Sequence, residues 1–132
     1  MIGLDTNVLV RYFTQDDPGQ SAIANQLIES RCSRSSPGYI NHIVLCELVW
    51  VLRRAYGYDK AQLVALLDQI LITAELDIEN EALAWKALAS WRSESADYSD
   101  YLLALVNLAG GCETTYSFDR KLTRYPAVTL AK

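Results

Sequence analysis

The sequence predicts an α/β protein, a three-layer α/β/α sandwich around a mostly parallel five-stranded sheet. Short apolar runs alternate with longer stretches whose apolar residues recur at helical spacing. Cap-type residues and glycines fall where those helices should start and stop. Strands separated by helices require right-handed crossovers, which make their pairing parallel.

Each element has its own reason. Ile2 and Leu4 bracket Gly3 in a first strand that ends on Asp5. Thr6 and Asn7 turn the chain, and Val8 to Phe13 read as a first short helix. Asp16, Asp17, Pro18 and Gly19 make a break, with Pro18 suited to the first turn of a second helix that runs to about Ser30. Ser33 to Gly38 is a polar loop. Tyr39 and Ile40 form a second strand, after which Asn41 caps a helix running to about Tyr56 and stopped by Gly57. Asp59 caps a helix over Ala61 to Ile72, with Leu63, Leu66, Leu67 and Ile70 on its apolar face. Ala74 to Ile78 is a third strand. Glu79 to Ser93 is helical through the stripe Leu83, Ala84, Ala87, Leu88 and Trp91. Ser99 to Ala109 is a further helix, closed by Gly110 and Gly111. Thr114 to Phe118 and Pro126 to Leu130 are the fourth and fifth strands.

The chain of 132 residues carries no repeat or linker and is expected to be one domain over residues 1–132. Apolar residues make up 51% and charged residues 21%, an ordinary globular balance that argues against disorder. No apolar run approaches the roughly 18 residues of a membrane span. Met1 leads almost directly into a strand, so no secretory signal is expected. Cys32, Cys46 and Cys112 are odd in number and form no C-x-x-C pair, which fits a reducing cytoplasm. The net charge of −4 argues only weakly against a nucleic-acid partner, because charge acts through its distribution.

Four acids, Asp5, Glu47, Asp100 and Asp119, equal that whole excess. Asp5 ends the first strand, and ligands of open parallel sheets bind beyond the carboxyl ends of the strands. Glu47 is the one polar residue in Ile43–Leu52, and a helix apolar all round is expected to be buried. A buried carboxylate needs a partner: a metal, an ion pair with Arg53 or Arg54, or a proton. Asp97 and Asp100 share one turn at the start of the sixth helix, where a capping role suits Asp97 better than Asp100. Asp119 ends the fourth strand as Asp5 ends the first; taken alone it is a turn-forming aspartate. Convergent carboxylates without bases repel one another. A hard divalent cation resolves that repulsion, Mg²⁺ or Mn²⁺ by the oxygen donors. Phosphodiester hydrolysis is the natural reaction for such a site.

Asp5-Thr6-Asn7 after a strand, the embedded Glu47, the A-D-x-x-D run at Asp97 and Asp100, and S-F-D-R-K at Asp119 together resemble a PIN domain. The nearest likeness is to VapC-type toxins of prokaryotic toxin–antitoxin pairs, and it covers essentially the whole chain. The resemblance implies a Mg²⁺- or Mn²⁺-dependent endoribonuclease leaving a 5′-phosphate and a 3′-hydroxyl, with tRNA a family-level expectation. It also implies a homodimer and a hetero-oligomer with a cognate antitoxin. Asp5, Glu47 and Asp100 match the family's three acids and Asp119 its more variable fourth. Asp97, Thr6, Asn7 and Ser117 match supporting polar positions.

Other residues have plainer readings. His42, the one histidine, is expected at a helix start near the rim of the site. Arg120 and Lys121 follow a site aspartate and are favoured as RNA contacts, and Arg11 is a further candidate. Trp50, Trp85 and Trp91 sit at helical spacing and are expected in the core or an interface. Two other functions compete with the nuclease. A phosphoaspartyl phosphohydrolase would carry D-x-D after the first strand, where this chain has Asn7. A catalytically silent binding module would keep the fold without needing the acids.

Overall fold

A computed structural model describes residues 1–132. The chain packs as two compact units, Met1–Glu81 and Ala82–Lys132.

The first unit holds β1 (Ile2–Gly3), α1 (Thr6–Thr14), α2 (Pro18–Arg31), β2 (Gly38–Ile40), α3 (His42–Tyr56), α4 (Lys60–Ile72) and β3 (Leu76–Ile78). Its strands pair in parallel in the order β1-β2-β3, Ile2 beside Gly38 and Gly38 beside Leu76. The ladder runs one residue past β1 and β3, where Leu4 N–H donates to Tyr39 and Glu79 N–H to Ile40. Leu4, Leu9, Ile40, Leu45, Leu48, Leu52 and Leu63 are buried around this sheet. Helix ends follow local chemistry. The Asn41 side chain accepts the Val44 N–H, Asp59 and Gln62 close a reciprocal capping box, and Gly57 takes the left-handed conformation that ends α3. Gly38 is required for a different reason: a Cβ there would lie 2.6 Å from Leu4 Cδ1 and 2.8 Å from Cys32 Sγ.

The second unit holds α5 (Glu81–Ser93, beginning at the boundary), α6 (Tyr98–Ala109), β4 (Thr115–Ser117), a 3₁₀ turn (Leu122–Arg124) and β5 (Val128–Leu130). β4 and β5 are parallel, with Tyr116 beside Thr129. Aromatic rings form its core. Trp91 lies 5.7 Å from Tyr98 and Tyr101 lies 5.0 Å from Tyr125, centroid to centroid. The buried hydroxyls are used: Tyr98 donates to the Ala84 carbonyl, and Tyr101 accepts the Ala96 N–H just ahead of α6.

The α/β class and the parallel pairing are as the sequence predicts. The expected single sheet is instead hydrogen-bonded as three strands and two. Several boundaries also move: the third, fourth and fifth strands are shorter than expected, and two helices shift for visible reasons. α1 starts at Thr6 rather than Val8, because Asp5 takes the extended conformation of an N-cap. Glu79 stays outside α5, where Asn80 turns the chain with a φ of 38°. No helix is long and apolar enough to cross a membrane.

Candidate active site

In the first unit the candidate acids lie at the carboxyl end of the sheet. Asp5 follows β1 directly and its carbonyl accepts the Val8 and Leu9 N–H groups of α1. Its carboxylate makes no cap hydrogen bond and is exposed. The ordinary explanation of an aspartate at a helix start, a side chain spent on first-turn amides, therefore does not apply to it. The helix dipole still favours its negative charge.

Glu47 comes from the middle of α3. It is exposed, which corrects the expectation of an acid inside a helix buried all round. The buried face of α3 is Val44, Leu45, Leu48, Val49 and Leu52. Ile43 and Trp50 are apolar but face solvent at 70% and 60% exposure. Glu47 lies with them and needs neither a proton nor an arginine to be tolerated. The partner it has is the hydroxyl of Thr6, which is 5% exposed and donates to Glu47 Oε1 at 3.3 Å. Thr6, the residue next to Asp5, thus ties the acid on α3 to the start of α1. Asn7 is exposed beside them.

In the second unit Asp97 and Asp119 both act on Asp100. Asp97 is the N-cap of α6, and its N–H donates to Asp100 Oδ2 at 3.1 Å. Burial pushes the Asp100 carboxyl above its ordinary value. The Asp97 backbone hydrogen bond opposes that, and the charges of Asp97 and Asp119 add to it. Asp119 is fixed by local bonds: its N–H donates to Ser117 Oγ at 3.0 Å, and its Oδ1 accepts the Lys121 N–H at 2.9 Å. Ser117 therefore holds the backbone of the fourth acid. Arg120 and Lys121 are exposed beyond it.

Arg11 is placed differently. Its guanidinium binds Asp16 at 3.1 Å, Gln20 at 2.7 Å and the Tyr56 hydroxyl at 2.9 Å, so it is a structural tie and not a free cation for RNA. Asp16, bonded also to Thr14 and Tyr56, has its carboxyl lowered to about 2, mostly through those two hydroxyls. Glu79 escaped the sequence reading, although it follows β3 as Asp5 follows β1. Its carboxylate accepts the His42 N–H at 2.9 Å and caps α3. His42 is the first residue of α3, as expected, with Nδ1 3.8 Å from Glu79. Of the tryptophans, Trp91 is core as expected, Trp85 is half-buried and Trp50 is exposed.

A model of the PIN domain matches residues 2–128. The chain belongs to the PIN domain family. No curated protein matches it. The PIN fold is that of metal-dependent nucleases, whose members typically bind divalent cations. The donors of this PIN domain fit such an ion chemically. They are all carboxylates, the set hard cations prefer, and at Asp100 the charges of Asp97 and Asp119 add to the effect of burial in raising the carboxyl. No three His, Cys, Asp or Glu side chains form a ready-made metal cage. Mg²⁺ does not require one, since it is commonly held by one or two carboxylates with water and substrate phosphates completing the shell.

Proposed function

We propose that this PIN domain is a metal-dependent endoribonuclease and the toxin of a toxin–antitoxin pair. The observation that carries the reading is Asp5, a strand-end aspartate at an N-cap whose carboxylate is left free of capping. The family match and the presence of Glu47, Asp100 and Asp119 in the sequence support it.

In this proposal Asp5 and Asp100 hold Mg²⁺ or Mn²⁺ directly, and Glu47 binds it directly or through water. When bound, the ion offsets phosphate charge and lowers the pKa of a water molecule. Thr6 fixes the Glu47 carboxylate. Ser117 fixes Asp119, which orients water, and Asp97 braces Asp100. Arg120 and Lys121 draw in the RNA backbone. The substrate is RNA, tRNA by family expectation, cut to a 5′-phosphate and a 3′-hydroxyl. The proposal includes a cytoplasmic homodimer silenced in a complex with its antitoxin.

The test is expression of wild type and Asp5→Asn in bacteria, with cellular RNA followed by primer extension. Growth arrest with RNA cleavage is expected from the wild type alone. Equal toxicity from both would sink the catalytic reading. The competing reading is a silent binding module that keeps the PIN fold without catalysis. It requires that purified protein cut no RNA at any Mg²⁺ or Mn²⁺ concentration.

A further inference from the structure

Ile43, Glu47, Trp50 and Arg54 fall at spacings of four, three and four on α3, which places them on one face of the helix. All four are exposed. Trp50 rises about 4.5 Å along the axis from Glu47, less than one turn. The Arg54 guanidinium lies over its indole, 5.2 Å from the ring centroid. An isolated arginine in the last turn of a helix is ordinary, since it complements the dipole. An indole 60% exposed beside a candidate active-site acid is not explained by folding, because it adds nothing to the core.

We infer that Trp50 and Arg54 form a stacking step for one unpaired RNA base, next to the acid Glu47. The inference rests on the nuclease reading for the identity of Glu47 as a site residue. Its own basis is the placement of a flat aromatic surface and a cation beside that acid. The indole supplies a π-face on which any base can stack, and the guanidinium supplies charge for the adjoining phosphate. A second copy of the chain is a poorer occupant. Covering Trp50 and Ile43 with protein would also desolvate Glu47 and Arg54, and interface centres are depleted of charge. RNA brings phosphate to the arginine and leaves the carboxylate at work. Bases held in a duplex cannot reach the indole, so the step selects single strands or loops.

The experiment measures binding of a fluorescein-labelled oligouridylate, and of a duplex RNA of the same length, by anisotropy in EDTA. Trp50→Ala should raise Kd for the single strand about 5- to 150-fold, the range for one lost base–aromatic stack, and leave duplex binding unchanged. Trp50→Phe should recover most of the affinity. Arg54→Ala should weaken binding and lower the slope of log K against log salt by about one. In cleavage assays with Mg²⁺, Trp50→Ala should raise KM and leave kcat near the wild-type value.

Single-strand affinity of Trp50→Ala within about twofold of wild type would overturn the proposal, given the cost of a lost stack. So would an equal loss on duplex, or a wild type that binds no single strand. If Trp50→Ala instead turns a dimer into monomers by sedimentation with RNA affinity intact, the face belongs to a second copy and the proposal falls. The two readings fail separately. Trp50-dependent binding without cleavage removes the nuclease and keeps the stacking step, whereas cleavage indifferent to Trp50 does the reverse.

Discussion

The Thr6 hydroxyl donates to the Glu47 carboxylate at 3.3 Å, joining the first turn of α1 to the middle of α3 across 41 residues of sequence. The threonine is buried and the glutamate is exposed, so the bond orients the acid without hiding it. Thr6→Val keeps the shape and removes the donor. Water can replace the donor at an exposed carboxylate, so stability should fall by no more than about 1 kcal/mol. Groups that orient a ligand commonly change metal affinity 10- to 100-fold, so the Mg²⁺ concentration for half-maximal RNA cleavage should rise about tenfold or more. Thr6→Ser should restore it. A Mg²⁺ titration unchanged in Thr6→Val would show that Glu47 orientation does not matter.

Asp100 sets the pH response of the metal-free second unit. Burial and the charges of Asp97 and Asp119 raise its folded pKa, so the folded chain holds that proton more tightly than the unfolded one. Its contribution therefore favours folding at low pH and is lost as pH rises through the raised value. Asp100→Asn abolishes this loss, and the amide oxygen can still accept the Asp97 N–H. At pH 7 in EDTA the variant should melt above the wild type. The gain should shrink as pH falls. Added Mg²⁺ should reverse the order, stabilising the wild type and not the variant. Calorimetry with and without EDTA decides it.

Asp16 runs the opposite way. Its folded carboxyl lies near 2, below its unfolded value, so its stabilisation is present above about pH 4 and fades as pH falls towards 2. Asp16→Asn loses the ionic contact with Arg11 and weakens those from Thr14 and Tyr56. The variant should melt below the wild type at neutral pH and converge with it in strong acid. A constant gap across that range would mean charge is not the cause.

Gly38 sits in the middle strand of its sheet with no room for a methyl group. Gly38→Ala drives a Cβ into Leu4 and Cys32 and should cost about 1–3 kcal/mol by overpacking. Cys32→Ala opens space at one of the two contacts. In the double variant the two costs should sum to less than their separate values. Strict additivity by urea denaturation would place the strain elsewhere.

Most of the α/β architecture is legible because its punctuation is local. Asn41, Gly57, Asp59 and Gln62 mark helix ends through bonds to residues three to five positions away, which one sequence displays. The division of the strands into three and two is a matter of long-range pairing and leaves no such mark. At the site, the acids stand out as residue types, but their surroundings do not. The apolar density around Glu47 reads as burial, yet α3 carries more apolar residues than its core face uses, and the surplus, Ile43 and Trp50, is what makes the face unusual. Thr6 looks like part of a cap and turns out to hold a side chain from a distant helix. Arg11 looks free for phosphate because its partners, Asp16, Gln20 and Tyr56, lie five, nine and 45 residues away.

The first sheet adds its strands in chain order, β1 to β2 to β3, each beside the one before it. Ile2 meets Gly38, and Gly38 meets Leu76, at nearly equal intervals along the chain. On the ribosome this permits assembly in the order of synthesis. Each new strand finds an edge already built, and none must wait for a segment still to be translated or insert between strands already paired. An unpaired strand edge invites aggregation while it is exposed. Here the edge that takes the next strand waits only for the next crossover to emerge, a property of strand order that no single side chain carries.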